Sequence, residues 1–199
     1  MARKYSAGIV SKGFWFIEFK KYINLLNEGY SPQEIRKKQE KENFLAAPSK
    51  DYAIKILGEM KRRTTALPKK ILEYFQNTDI STQKIINLLG VLLTDQLLFE
   101  FIYTKYREEI QLGTKEYNPS IVRIFLREMQ NRNEEVAKFS DNSIKRMTGA
   151  YGTYLKEAGL LENIDGKTYY KNIFLDLELE RLMKEEGLNS YIKAIKGEY

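Results

Sequence analysis

The stretch NPSIVRIFLREMQNRNEEVAKFSDNSIKRMTGAYGTYLKEAGLLENIDGKTYYK, residues 118–171, decides the fold. Asn118–Pro119 opens a helix whose apolar positions are Ile121, Val122, Ile124, Phe125 and Met129. A short segment from Glu134 to Phe139 follows, and Ser140 then caps a longer helix from about Asp141 to Ala158. That helix stops at Gly159–Leu160–Leu161, as the left-handed freedom of glycine allows. Glu162–Asn163–Ile164, an Asp165–Gly166 turn and Lys167–Thr168–Tyr169–Tyr170 read as a hairpin. Helix, short helix, long helix and two-strand wing is the order of a winged helix-turn-helix module.

The long helix has two faces of different chemistry. Ile144, Met147, Tyr151, Tyr154, Leu155 and Ala158 share one face and are expected to pack on the preceding helices. Asn142, Arg146, Gly149 and Thr153 share another, flanked by Ser143 and Lys145. Glycine inside a helix costs about 1 kcal/mol relative to alanine, so Gly149, Ala150 and Gly152 suggest a surface kept smooth for close approach to a groove. On this reading Arg146 contacts guanine and Asn142 adenine, while Ser143, Lys145 and the wing residue Lys167 contact phosphate. Two plainer readings stand beside it: winged-helix folds also dock proteins, and small residues also permit helix–helix packing.

Working outward, residues 113–119 carry Gly, Asn and Pro and mark a boundary. They divide the chain into a helical unit, 1–115, and a winged-helix-like unit with a C-terminal helix, 116–199. The fold class expected is mainly α. In the first unit, Lys12–Leu26 reads as an aromatic-rich helix, and Ser31–Pro32–Gln33–Glu34 forms a capping box that starts a charged one. Ser49 caps a third helix with an apolar stripe of Tyr52, Ala53, Ile56, Leu57 and Met60. Its remaining faces carry Lys50, Lys55, Lys61, Arg62 and Arg63, candidate contacts to a phosphate backbone. Leu67–Pro68 starts a further helix, and Asp79 or Ser81 caps an apolar segment beyond it.

That segment includes IINLLGVLLTDQLLFEFIY, residues 85–103, about the length of a bilayer span. It contains Asp95 and Glu100, and a mid-span charge costs roughly 2.5–3.5 kcal/mol. A buried helix, or a pair broken near Thr94–Asp95, is the reading adopted, with no membrane association. The N-terminus, with Arg3 and Lys4 but no apolar core, is not read as a signal peptide.

Charge is unevenly placed. The chain of 199 residues carries a net +6. Residues 1–70 hold 16 Lys/Arg against 7 Asp/Glu, and residues 118–199 balance at 13 each. The positive field belongs to the N-terminal third, where a solvated lysine face is the alternative to a nucleic-acid footprint. The sequence contains no cysteine and no histidine. Thiolate metal sites, disulfides and Ser–His or Cys–His catalysis are therefore excluded. With neither a Walker nor a dinucleotide-binding motif either, no enzymatic activity, cofactor or metal is expected.

With these residues in view, the chain resembles the BrxA family, the small helical component of bacterial BREX phage-exclusion systems. The resemblance runs from Tyr5 to about Tyr170 and rests on YSAGIVSKGFWFIEFKKYINLLNEGYSPQEIR, KENFL, a helix ending in EMKRR, and the apolar central segment. It implies a cytoplasmic, non-enzymatic subunit that binds double-stranded DNA beside a methyltransferase, an ATPase and other BREX proteins. It also implies an N-terminal domain similar to the NusB helical fold, which keeps RNA binding as an alternative. The family supplies no fixed functional residues, so the candidate contacts come from helix geometry and charge.

Overall fold

A computed structural model describes residues 5–198. A 3-10 turn, Ala7–Ser11, precedes α1 (Phe16–Asn27), α2 (Pro32–Glu42), α3 (Lys50–Ala66) and α4 (Lys69–Tyr74). Next come α5 (Ile80–Thr94), α6 (Gln96–Phe101), a π-helical turn at Ile102–Tyr106 and α7 (Arg107–Gln111). The second half holds α8 (Ser120–Arg132), α9 (Glu134–Ala137), α10 (Asp141–Ala158), strands β1 (Leu161–Ile164) and β2 (Lys167–Tyr170), α11 (Leu177–Glu185) and α12 (Asn189–Lys196). The protein is mainly α, with one small antiparallel sheet among the described residues.

Local chemistry explains most boundaries. Ser31 accepts from the Glu34 amide while the Glu34 carboxylate accepts from the Ser31 amide, closing the capping box of α2. Ser49, Asp79 and Ser140 cap α3, α5 and α10 through side-chain oxygens. Gly159 ends α10 in the left-handed conformation (φ 85°), and Asp165–Gly166, both at positive φ, turn the hairpin.

One apolar core runs through both halves of the chain. α5 lies at its centre, with Ile86, Leu88, Leu89 and Leu92 fully buried, and α3 and α10 both pack on it. The boundary segment is itself bonded to the hairpin: the Tyr117 amide donates to Thr168 O, and the Tyr170 amide to Lys115 O. The two C-terminal helices pack back across the boundary, α11 on α4 and α12 on the π turn and α7.

The long apolar segment breaks where the sequence places a carboxylate. α5 and the helix that follows it meet at 111° around Asp95, whose side chain caps α6 by accepting from the Leu98 amide. Among the described residues no single helix is long and apolar enough to cross a membrane; only this bent, largely buried pair has the length and composition.

Candidate nucleic-acid interface

The outer face of α10 is the most open of the expected contact surfaces. Ile144, Met147, Tyr151, Tyr154, Leu155 and Ala158 are buried, as their spacing requires. Asn142, Lys145, Arg146, Gly149, Thr153 and Lys156 are exposed, and Ser143 is half-buried beside its cap Ser140. Among the described residues no carboxylate pairs with Lys145 or Lys156. Lys156 was missed in the sequence, although it sits seven residues after Gly149 on the same face. Lys167, on the hairpin, is exposed and forms an ion pair with Glu116 at 3.3 Å.

The two glycines of this helix differ. A methyl on Gly149 would meet nothing within 4 Å, whereas one on Gly152 would touch the Tyr117 hydroxyl at 3.4 Å. Gly152 thus serves internal packing, and Gly149 is a bare spot on an open face. Gly149→Ala should stabilise the protein by about 0.5–1 kcal/mol, which thermal unfolding will read. If the face lies in a groove, Gly149→Leu should weaken duplex binding in a protein that remains fully folded. Unchanged binding would remove the case for close approach at this residue.

One edge of α10 is held by the N-terminal segment. Arg146 Nη2 donates to Val10 O at 3.2 Å, and the Tyr154 hydroxyl donates to Gly13 O at 2.9 Å. The exposed guanidinium of Arg146 is therefore oriented by backbone on the outer rim of the helix.

The basic residues of α3 separate into two groups. Lys50, Lys55 and Lys61 are exposed, with no carboxylate partner among the described residues. Arg63 is a correction to the sequence reading: its side chain is 0% exposed and cannot reach a phosphate in this fold. Each residue turns a helix by about 100°, so Lys61, Arg62 and Arg63 step from solvent to core. Arg63 donates to Glu59 Oε1 (3.0 Å), Asn87 Oδ1 (3.1 Å), Gly13 O (2.8 Å) and Phe14 O. Asn87 adds its own bond to Phe14 O at 2.9 Å.

Arg62 is half-withdrawn from solvent by Glu59 (2.6 Å) and by Thr94 O (2.9 Å). Lys12 completes the cluster at 3.0 Å from Glu59 Oε2. Burial alone would raise the Glu59 carboxyl, but the Arg62 hydrogen bond and the charges of Arg63, Arg62 and Lys12 outweigh it and hold the group at about 2. The cluster is an internal tie between α3, α5 and the Gly13–Phe14 backbone. The EMKRR signal is thus architectural at Glu59, Arg62 and Arg63, and a candidate surface charge only at Lys61.

The structure places the α3 lysines and the α10 face on two helices that pack on α5, and it shows no bond between the two sets. Among the described residues no group of three or more Asp or Glu side chains converges as a metal site.

The fold defines a class of mainly helical proteins that includes a solved structure. The crystal structure of an uncharacterized protein from Magnetospirillum magneticum superposes with a TM-score of 0.80 at 17% identity, covering 97% of this chain and 98% of that one. At that identity the likeness is one of fold. The BrxA family model matches residues 3–187, and the chain belongs to the BrxA family. A curated relative, the BREX protein BrxA of Bacillus cereus (strain H3081.97), is 26% identical over 194 residues, spanning 98% of this chain and 97% of the relative.

Proposed function

We propose that this protein is a non-enzymatic, cytoplasmic component of a BREX phage-defence system that binds double-stranded DNA. The observation that carries the reading is the outer face of α10: a helix buried on one side and, on the other, open around Gly149 with Lys145, Arg146 and Lys156 exposed. Helix α10 stands where a recognition helix stands in a winged helix-turn-helix, after α8 and α9 and before the hairpin. Arg146 and Asn142 face base edges in the major groove; Lys145, Ser143 and Lys167 face phosphates. Lys50, Lys55 and Lys61 supply a longer-range attractive field.

Titration of a labelled duplex at several salt concentrations, with an RNA hairpin and a single strand as competitors, tests this reading. Affinity is expected to fall steeply with salt, with a slope of about −0.9 for each phosphate neutralised, and neither RNA should displace the duplex. Preference for the RNA hairpin, or no binding at low salt, would reject it.

A second reading, docking to other BREX proteins such as the methyltransferase or the ATPase, draws on a different surface. Phe174 and Leu177 are 94% and 85% exposed, and Phe174 lines one groove with Ile80, itself 59% exposed. The aromatic-rich α1, where an apolar docking patch was the sequence expectation, instead buries Phe19 and Tyr22 and exposes Ile17. Protein docking and DNA binding thus fall on different residues.

A further inference from the structure

Beside α10, on the edge away from the N-terminal segment, lies an open groove of about 500 Å³ between α8 and α10. Its walls carry Arg123 and Arg127 from α8, Lys145 from α10, the hydroxyls of Ser120 and Thr148, and one carboxylate, Asp141. Arg123 and Arg127 stand one helical turn apart on the exposed side of α8, opposite the buried Val122 and Leu126. Among the described residues Arg123 and Lys145 have no carboxylate partner. Arg127 is bound to Asp141 Oδ1 at 2.6 Å and to Gln130 Oε1 at 2.8 Å.

Three cations around one exposed carboxylate leave the groove positive, and guanidinium forks match phosphate oxygens. We infer that this groove is a second phosphate track, holding one strand of the duplex backbone through Arg123, Arg127 and Lys145 while the outer face of α10 occupies the major groove. The inference rests on the DNA-binding reading and adds to it two arginines and an acidic brake. Lys145 joins the two surfaces, since it lines the groove and belongs to the outer face. Asp141 is 86% exposed and engages Arg127 in the free protein, so phosphate competes with it for the guanidinium. An exposed ion pair of this kind contributes only about 0–1 kcal/mol to stability, so exchanging its carboxylate partner for phosphate costs the fold little.

The brake gives the test two opposite signs. Native protein, Arg123→Gln/Arg127→Gln, Asp141→Asn and the outer-face variant Asn142→Ala/Arg146→Ala are titrated with one labelled duplex between 50 and 200 mM salt. Circular dichroism confirms that each is folded. The double arginine variant should bind more weakly, its log affinity against log salt flattened by about two units at roughly 0.9 per phosphate contact. Asp141→Asn should bind several-fold more tightly than native. Native affinity and slope in both groove variants, with the outer-face variant weakened, would overturn the phosphate track and leave the DNA-binding reading standing. Absence of binding by native protein at low salt would overturn both.

Discussion

Arg63→Ala should destabilise the protein by about 3–5 kcal/mol, the cost of removing one partner from a buried ion pair. For a chain of this size each kcal/mol shifts the midpoint by about 2–4 °C, so thermal unfolding should fall by roughly 6–20 °C. The cause is specific. Without the guanidinium, Glu59 is left buried with Arg62 and Lys12 alone, and the Gly13 and Phe14 carbonyls each lose a donor. Lys61→Ala, on the same helix but in solvent, should change stability by no more than about 0.5 kcal/mol. Equal effects at the two positions would contradict the assignment of Arg63 to the core.

The same cluster sets an acid limb. The Glu59 carboxyl lies at about 2, below its ordinary 4.5. A lowered folded-state value stabilises the protein above about pH 4.5, and that contribution is lost as pH falls towards 2. The limb should be shallower in Arg63→Ala.

The second large effect belongs to α10. Lys145→Glu/Arg146→Glu/Lys156→Glu should weaken duplex binding about a hundredfold or more at moderate salt and flatten its salt dependence by about three units, given roughly 0.9 per phosphate contact. The variant should remain folded, because all three side chains are exposed. Lys50→Glu/Lys55→Glu/Lys61→Glu should weaken binding far less, because a field acting from beyond the Debye length of about 10 Å is largely screened at 0.1 M salt. The reverse order of effects would move the contact surface to α3.

The fold was legible where its causes are local. Ser31 with Glu34, Ser49, Asp79, Ser140 and Gly159 mark helix ends with their own side chains or backbone freedom, and the structure uses each as expected. Asp95 broke the long apolar segment because a carboxylate there does better capping a new helix than lying inside one. The buried face of α10 followed from the helical period alone.

What the sequence hid depends on distant partners. The helix expected from Lys12 begins at Phe16, because the Gly13 and Phe14 carbonyls are taken by Arg63, Asn87 and Tyr154, and Trp15 turns left-handed at φ 48°. Arg63 looked like surface charge because its acceptors lie about 50 residues upstream and 24 downstream. Glu59, four residues before Arg63, was the one local sign of a buried pair. Arg123 and Arg127 were read past as the polar side of an amphipathic helix, and only the packing of α8 beside α10 gives them a shared groove.

The central claim is that the outer face of α10 lies against duplex DNA. The chain has no cysteine, so Thr153→Cys on α10 and Thr65→Cys on α3 each provide a single thiol on an exposed face. Each is labelled with a photoactivatable maleimide and irradiated with a DNA duplex at low and high salt. Efficient crosslinking from position 153 at low salt, lost at high salt, with little from position 65, is the expected result. Crosslinking from position 65 alone, or from neither position at saturating protein, would contradict the account.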